Sequence, residues 1–450
     1  MAKSIKRVLV ANRGEIAVRV IRACKELGLE TVAIYSEADR DSLHVSYADR
    51  SVCIGPATSA KSYLNQQTII SAALSYQADA IHPGYGFLAE NADFAETCEN
   101  EGIVFVGPTS KTIRMMGDKV TARSAAKQAG VPTTPGSDGA VRGHQEAADV
   151  ATDIGYPILL KASAGGGGRG MRIVEAAAEL ERKLSEAMSE AQSAFGDSAV
   201  YIEKYMTDIR HVEVQILGDG ERVVHLGERD CSTQRRNQKL IEESPSSVLP
   251  ADVRDRMCAS AVRLCQIAAY SNAGTIEFIY DQTEGKFYFI EMNTRIQVEH
   301  PVSEVVTGID LVKEQLKIAA TGSLAIDQSE IEFRGHAIEF RINAEDYENG
   351  FRPSPGQIES VRLPGGPGIR LDSHVVSGYQ VPPFYDSLIA KLICYGRDRE
   401  EALQRAARAL DEFDIKGVKT TIPFHQRIIC HPNFIAGNFN TRFVHNELGL

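Results

Sequence analysis

Cysteine is scarce in this chain, eight among 450 residues. No two of them form a CxxC pair or another ligand spacing, which argues against a disulfide scaffold or a thiolate metal centre. An excess of positive charge is also missing. Sixty acidic residues face 49 basic ones for a net charge of −11, so nucleic acid held through its phosphates is not the expected partner. No apolar run approaches the ~18 residues of a membrane-crossing helix. The opening MAKSIKRVLVANRGE offers only VLVA before Asn12 and Arg13, too short for a secretory core. Heptads, long internal repeats and low-complexity tails are absent as well. These absences point to a reducing, cytoplasmic setting without membrane or nucleic-acid partners.

What is present is an ordinary globular composition, 43% hydrophobic and 24% charged. The length exceeds that at which one core stops growing, so two or three domains are expected. From Lys6 the chain reads strand (RVLVA), turn (NRGE), helix (IAVRVIRACKELG) and strand (TVAIYS), with similar alternation to about Val106. That is a doubly wound α/β beginning. The turn NRGEIA lacks the GxGxxG of a dinucleotide site, so a nicotinamide cofactor is rejected despite Glu37 and Asp39 closing the second strand. Composition shifts divide the chain into a domain over residues 1–114, a helical linker over 115–130, a glycine-rich lid over 131–204 and a C-terminal domain over 205–450.

The most informative stretch is EMNTRIQVEH, which sets Glu291, Asn293, Arg295, Gln297 and Glu299 at every second position with Met292, Thr294, Ile296 and Val298 between. Read as a strand, it turns five groups able to hold metal, anion or proton to one face. The preceding GTIEFIYD reads as a second strand joined by a turn near Glu284, which sets Glu277 opposite Glu291. Paired carboxylates with an Asn oxygen nearby suit Mg²⁺ or Mn²⁺ bridging nucleotide phosphates. A solvated acidic hairpin is the plainer account of two glutamates alone. Arg295, Gln297 and Glu299 on the same face outweigh it.

Other segments gain weight only by facing that site. HPGYGFLAEN packs two glycines and a proline around Tyr85, as a loop does where backbone approaches a ligand, although taken alone it reads better as an ordinary tight turn. KASAGGGGRGMRIV places Gly166, Gly167 and Gly168 after a strand ending at Lys161, a candidate phosphate lid rather than a Walker loop. A flexible linker competes with that reading, and Lys161 tips the balance. HVEVQIL puts His211, Glu213 and Gln215 on one face, and GHAIEFRINAED does the same with Glu339, Arg341 and Asn343. ERDCSTQRRNQKLIEESPS reads either as a mutually neutralising surface network or as an anion site built on Lys239 and the arginines.

Together, Lys119 in MGDK, Lys161 with its glycines, Glu203 to Met206, Glu277 and EMNTRIQVEH resemble the ATP-grasp superfamily, and more narrowly the biotin carboxylases. HPGYGFLAEN, RDCSTQRRNQK and NTRIQVEHP are the specific signatures. The resemblance implies an α/β (in part α+β) ATP-grasp fold with an N-terminal doubly wound domain, a small lid domain and a mixed C-terminal domain. It implies ATP-dependent carboxylation of biotin by bicarbonate through carboxyphosphate. Lys119, Lys161, the lid glycines, Glu203, Lys204, Met206, His211, Gln234 and Asn237 are implied to contact ATP. Glu277 and Glu291, with Asn293, are implied to hold Mg²⁺ or Mn²⁺, and Glu277 and Glu291 thereby the nucleotide. Lys239, Arg295, Gln297, Val298 and Glu299 are implied to form the bicarbonate site, with Glu299 as general base. Tyr85, Arg295 and Arg341 are implied to lie near biotin, Arg295 stabilising the negative charge on its ureido oxygen.

The implied partners are a biotin carboxyl carrier protein, a second copy of the chain and a carboxyltransferase subunit, most readily within an acetyl-CoA carboxylase of fatty acid synthesis. Propionyl-CoA, pyruvate and 2-oxoglutarate carboxylases, or another ATP-grasp ligase, are the alternatives. The sequence departs from many relatives in having Ala164 before four glycines and Asn237 where a His is common.

Overall fold

The structure is a computed structural model and describes residues 5–162 and 171–450. The expected glycine lid, with Gly166, Gly167 and Gly168, lies outside the described residues.

The first sheet is formed by β1 (Arg7–Val10), β2 (Glu30–Tyr35), β3 (Arg50–Cys53), β4 (Ala80–His82) and β5 (Val104–Phe105). All pair parallel, in the order β3-β2-β1-β4-β5. This is the doubly wound arrangement read from the sequence. A parallel sheet needs cover on both faces, and helix α1 (Gly14–Glu26) supplies part of it with Ile16, Ala17, Val20 and Ile21 buried. A second, three-stranded antiparallel sheet consists of β6 (Ile158–Ala162), β7 (Met171–Val174) and β8 (Val200–Lys204), with β6 in the middle.

The third sheet carries the chemistry. Its strands are β9 (Ile209–Asp219), β10 (Val223–Arg235), β11 (Gln238–Ser244), β12 (Ser271–Asp281), β13 (Lys286–Asn293), β14 (His336–Asn343), β15 (Ile369–Ser373) and β16 (Leu388–Gly396). They run in the order β13-β12-β9-β10-β11-β14-β16-β15, each pairing antiparallel to its neighbours. Directly opposed residues share a face, and the register lines up Glu291, Glu277, Glu213 and Arg229 across β13, β12, β9 and β10.

That row depends on a bulge. Asp281 opposes Lys286 and Phe278 opposes Phe289, a register that continued unchanged brings Ile290 opposite Glu277. A shift between Glu277 and Phe278 brings Glu291 there instead. One extra residue on one strand reverses the facing of everything beyond it.

Burial keeps several histidines neutral. It lowers His44 and His425 to about 4 and His82 and His374 to about 3. The unfolded chain takes up protons at these sites near pH 6.5, whereas the folded chain does not until well below, so stability falls as pH drops from about 6.5 toward 4. Urea midpoints measured across that range should decline steadily with acid. A flat profile from pH 7 to 5 would contradict the burial of these rings.

Candidate functional site

The β12–β13 hairpin and the expected Glu277–Glu291 opposition are present. The strand reading of EMNTRIQVEH is corrected beyond Asn293: β13 ends there, residues 294–299 form no strand, and α2 (His300–Thr307) begins after Glu299. The reason lies in where the backbone donors go. The Thr294 N–H donates to Glu90 Oε1 at 3.0 Å instead of to a neighbouring strand. Arg295, Gln297 and Glu299 nevertheless converge on the site, carried by an irregular segment that leads into the helix.

They meet in a cleft of about 1040 Å³ that is also lined by Tyr85, His211, Gln234, Asn237, Lys239, Glu277, Glu291, Asn293, Val298 and Arg341. Lys239 is its hub. Its ammonium reaches Glu213 Oε2 at 2.6 Å, Glu277 Oε1 at 3.0 Å and Glu299 Oε1 at 2.7 Å. An ammonium has three N–H donors, and all three are engaged. Burial pulls Lys239 down, but the charges of Glu213, Glu277 and Glu299 outweigh it and hold the amine well above its ordinary range.

Burial likewise pushes Glu277 and Glu299 up. The cations beside them win: Lys239 and His211 hold Glu277, and Lys239, Arg341 and Arg229 hold Glu299, well below the usual carboxylate range. Both are therefore ionised at neutral pH.

Beneath the hub lies Arg229, with no exposed side-chain surface. It donates to Glu213 Oε1 (2.7 Å), Gln215 Oε1 (2.6 Å), Ser303 Oγ (3.0 Å), Thr275 Oγ1 (3.2 Å) and Gln297 Oε1 (3.1 Å). Five bonds exhaust a guanidinium. By taking the Gln297 oxygen, Arg229 turns that amide's nitrogen toward Glu277 Oε1, 2.9 Å away. The surface-network account of ERDCSTQRRNQKLIEESPS fails for Glu228, Arg229, Asp230, Glu242 and Glu243, which are all buried, while Arg236 stays exposed.

Arg295 donates through Nε to Glu90 Oε2 at 2.7 Å and through NH2 to Asn293 Oδ1 at 3.1 Å. Glu90 was missed in the sequence, although it sits in the Tyr85 loop, and an acid in a ligand-facing loop was the available signal. Tyr85 hydrogen-bonds Glu15, which also pairs with Lys391 at 3.2 Å. Lys391 in turn holds the Val298 carbonyl at 2.7 Å. Gln234 opposes Lys239 in the β10–β11 ladder. Asn237 and Arg236 form the two-residue turn between paired Arg235 and Gln238, with φ of 65° and 49°. Such a turn requires positive φ at both positions, which Asn adopts readily.

Several expected nucleotide contacts lie outside this cleft. Lys161 pairs with Glu203, which also receives Arg123 at 3.1 Å, and Lys204 pairs with Glu284. Met206 is buried, and Lys119 opens the helix Lys119–Gln128 with its side chain exposed. The Lys119 charge still acts on Glu291.

The donor set fits a divalent cation between Glu277 and Glu291. Burial and the Glu277 charge push the Glu291 carboxyl up, a repulsion that a cation relieves. Asn293 fits less well as it stands, since its nitrogen faces Glu277 at 2.9 Å and its oxygen faces Arg295. His211, Glu213 and Glu277 also bring ligand atoms within 4.8 Å of one another, but Glu213 is already neutralised by Arg229 and Lys239. Among the described residues, no helix is long and apolar enough to cross a membrane.

Compared with known proteins, residues 4–113 match the family model of the biotin carboxylase N-terminal domain and residues 339–446 that of the biotin carboxylase C-terminal domain. Residues 118–327 match the ATP-binding domain of the carbamoyl-phosphate synthase L chain. The chain is 56% identical to biotin carboxylase 1 of Bacillus subtilis over 98% of both proteins. It is 54% identical to the biotin carboxylase of Pseudomonas aeruginosa over 99% of both. Among solved structures, the biotin carboxylase domain dimer of Hydrogenobacter thermophilus 2-oxoglutarate carboxylase, in complex with MgADP, ADP and bicarbonate, aligns with a TM-score of 0.90 and 52% identity, covering 99% of this chain and 98% of that one.

Proposed function

The chain belongs to the biotin carboxylase family, and from that premise we propose how its cleft performs the reaction of that family. The enzyme is an ATP-dependent ligase: it carboxylates biotin on a carrier protein with bicarbonate, by way of carboxyphosphate, and yields carboxybiotin, ADP and phosphate. The observation that carries the assignment of roles is the Lys239 hub, which joins Glu277 of the opposed carboxylate pair to Glu299 within one hydrogen-bonded cluster.

Glu277 and Glu291 would hold Mg²⁺ or Mn²⁺, and Asn293 would need its amide turned to offer an oxygen to it. When bound, the ion neutralises charge on the nucleotide phosphates. Lys119, Lys161, the lid glycines, Glu203, Lys204, Met206, His211, Gln234 and Asn237 accommodate ATP. Lys239, Arg295, Gln297 and the Val298 backbone position bicarbonate beside Glu299. Glu299 takes the bicarbonate proton as the carbonate oxygen attacks the terminal phosphorus. A carboxylate so well stabilised is a weak base, and positioning makes up the difference. Arg295 neutralises the ureido oxygen of biotin, with Tyr85 and Arg341 walling the same end. We assign the nucleotide wall to residues 131–204 and the metal, bicarbonate and biotin sites to residues 205–450, after a scaffold over 1–114 and a linker over 115–130.

A biotin-bearing carrier and a second copy of the chain are the partners consistent with the family. A cytoplasmic location, an acetyl-CoA carboxylase holoenzyme and its carboxyltransferase subunit extend that reading, with pyruvate or 2-oxoglutarate carboxylase as the alternative assemblies. The test is ADP formation with Mg²⁺, bicarbonate and free biotin, each omitted in turn. Loss of turnover on leaving out either bicarbonate or biotin supports the assignment. Turnover that ignores biotin and consumes an amine instead would identify a different ATP-grasp ligase.

A further inference from the structure

Behind Arg341 the sheet carries a second opposed acid pair that the reaction described above does not use. Glu242 on β11 and Glu339 on β14 are direct cross-strand partners, and neither has any exposed surface. Arg341, two residues beyond Glu339 and on the same face, bonds Glu242 Oε1 through Nε at 2.6 Å and Glu299 Oε2 through NH2 at 2.9 Å. One guanidinium is thus shared between the proposed base and a buried acid outside the cleft lining. Glu242 Oε2 and both Glu339 oxygens have no hydrogen-bond partner among the described residues.

We propose that Glu242, backed by Glu339, is a positioning residue that sets the base strength of Glu299 by competing with it for Arg341. This rests on Glu299 being the base that accepts the bicarbonate proton. When Glu242 is ionised it neutralises most of the Arg341 charge, and Glu299 binds a proton more readily. When Glu242 is protonated, Arg341 belongs to Glu299 alone and weakens it as a base. Two buried carboxyls set side by side do not both ionise readily, so Glu339 holds the proton and Glu242 is the member of the pair that exchanges.

The surroundings agree. Glu242 faces Arg341 and Glu339 from β14, Glu299 from the segment before α2, Cys231 from β10 and Lys239 from its own strand, with Lys391 of β16 acting on Glu339. Burial pushes Glu242 up to about 7 against the pull of Arg341, and pushes Glu339 well above the carboxylate range. Glu339 therefore keeps its proton through neutral pH, while Glu242 exchanges its own near neutrality.

The experiment is kcat/KM for bicarbonate against pH, read as ADP formation with saturating MgATP and biotin, for the full-length enzyme and two variants. The parent shows an acid limb near pH 7. Glu242→Gln is locked in the acid-side state: it loses about tenfold at pH 8, in line with one unit of base strength, and its limb near 7 disappears. Glu339→Gln has the shape of the protonated acid it replaces, which favours folding. Because it exchanges one neutral group for another, it leaves the limb near 7 in place.

A uniform loss across pH with the limb intact in Glu242→Gln marks a purely structural role and overturns the proposal. So does a limb that vanishes or moves by about a pH unit or more in Glu339→Gln, which would assign the exchanging proton to Glu339 and decides the matter if Glu242→Gln does not fold. Should Glu299→Gln retain full activity, the base assignment itself fails, an outcome distinct from either of these.

Discussion

Glu299→Gln is expected to lower kcat for bicarbonate-dependent ADP formation by about 10²–10⁴-fold, the usual contribution of a positioned general base. The substitution keeps the shape of the side chain but removes its charge and its proton affinity. Lys239 retains Glu213 and Glu277 as partners, and Arg341 retains Glu242, so neither cation is left alone in the interior. That separates the loss of chemistry from collapse of the site. MgATP affinity measured by calorimetry should stay within a few-fold of the parent, because Glu277 and Glu291 are untouched. A loss of less than tenfold in kcat, with affinity preserved, would remove Glu299 from the role of base.

The second large effect is on stability. Arg229→Met preserves an apolar stem but leaves Glu213, Gln215 and Gln297 without the guanidinium that satisfies them. Removing one partner of a buried pair costs about 3–5 kcal/mol, and the lower end is expected because Glu213 keeps Lys239 while losing the bond to its other oxygen. The denaturant midpoint of the transition that includes the large sheet should fall accordingly, with the slope unchanged. Glu213→Gln in the same chain should recover part of the loss, since neighbours in one network are not additive. If Arg229→Met alone is within 1 kcal/mol of the parent, the five-bonded arginine is not what holds the floor of the cleft.

Much of the first sheet was legible because periodicity and turn chemistry are local. RVLVA, NRGE and the following helix announce themselves within about twenty residues, and a parallel sheet follows from their alternation. The carboxylate pair was legible too, since a hairpin is the most local of sheet contacts. Its register was not secure on the same grounds. The bulge between Glu277 and Phe278 is what turns Glu291 to the Glu277 side, and nothing in GTIEFIYD marks its place. The alternation of Arg295, Gln297 and Glu299 suggested a strand that the chain does not make. Residue type picked out side chains that do line the cleft, although the backbone reading was wrong.

Composition, spacing and motif, then, were enough to select the fold, the nucleotide-dependent chemistry and most side chains that face the cleft, because those features depend on neighbours close along the chain. The fold alone decided that Arg229 underlies the cleft, that Glu90 reaches from the loop after β4 to hold Arg295, and that Glu242 shares Arg341 with Glu299. Each joins residues between 16 and 205 positions apart, and a charge buried among such distant neighbours takes its proton affinity from their arrangement, which the order of residues along the chain does not encode locally.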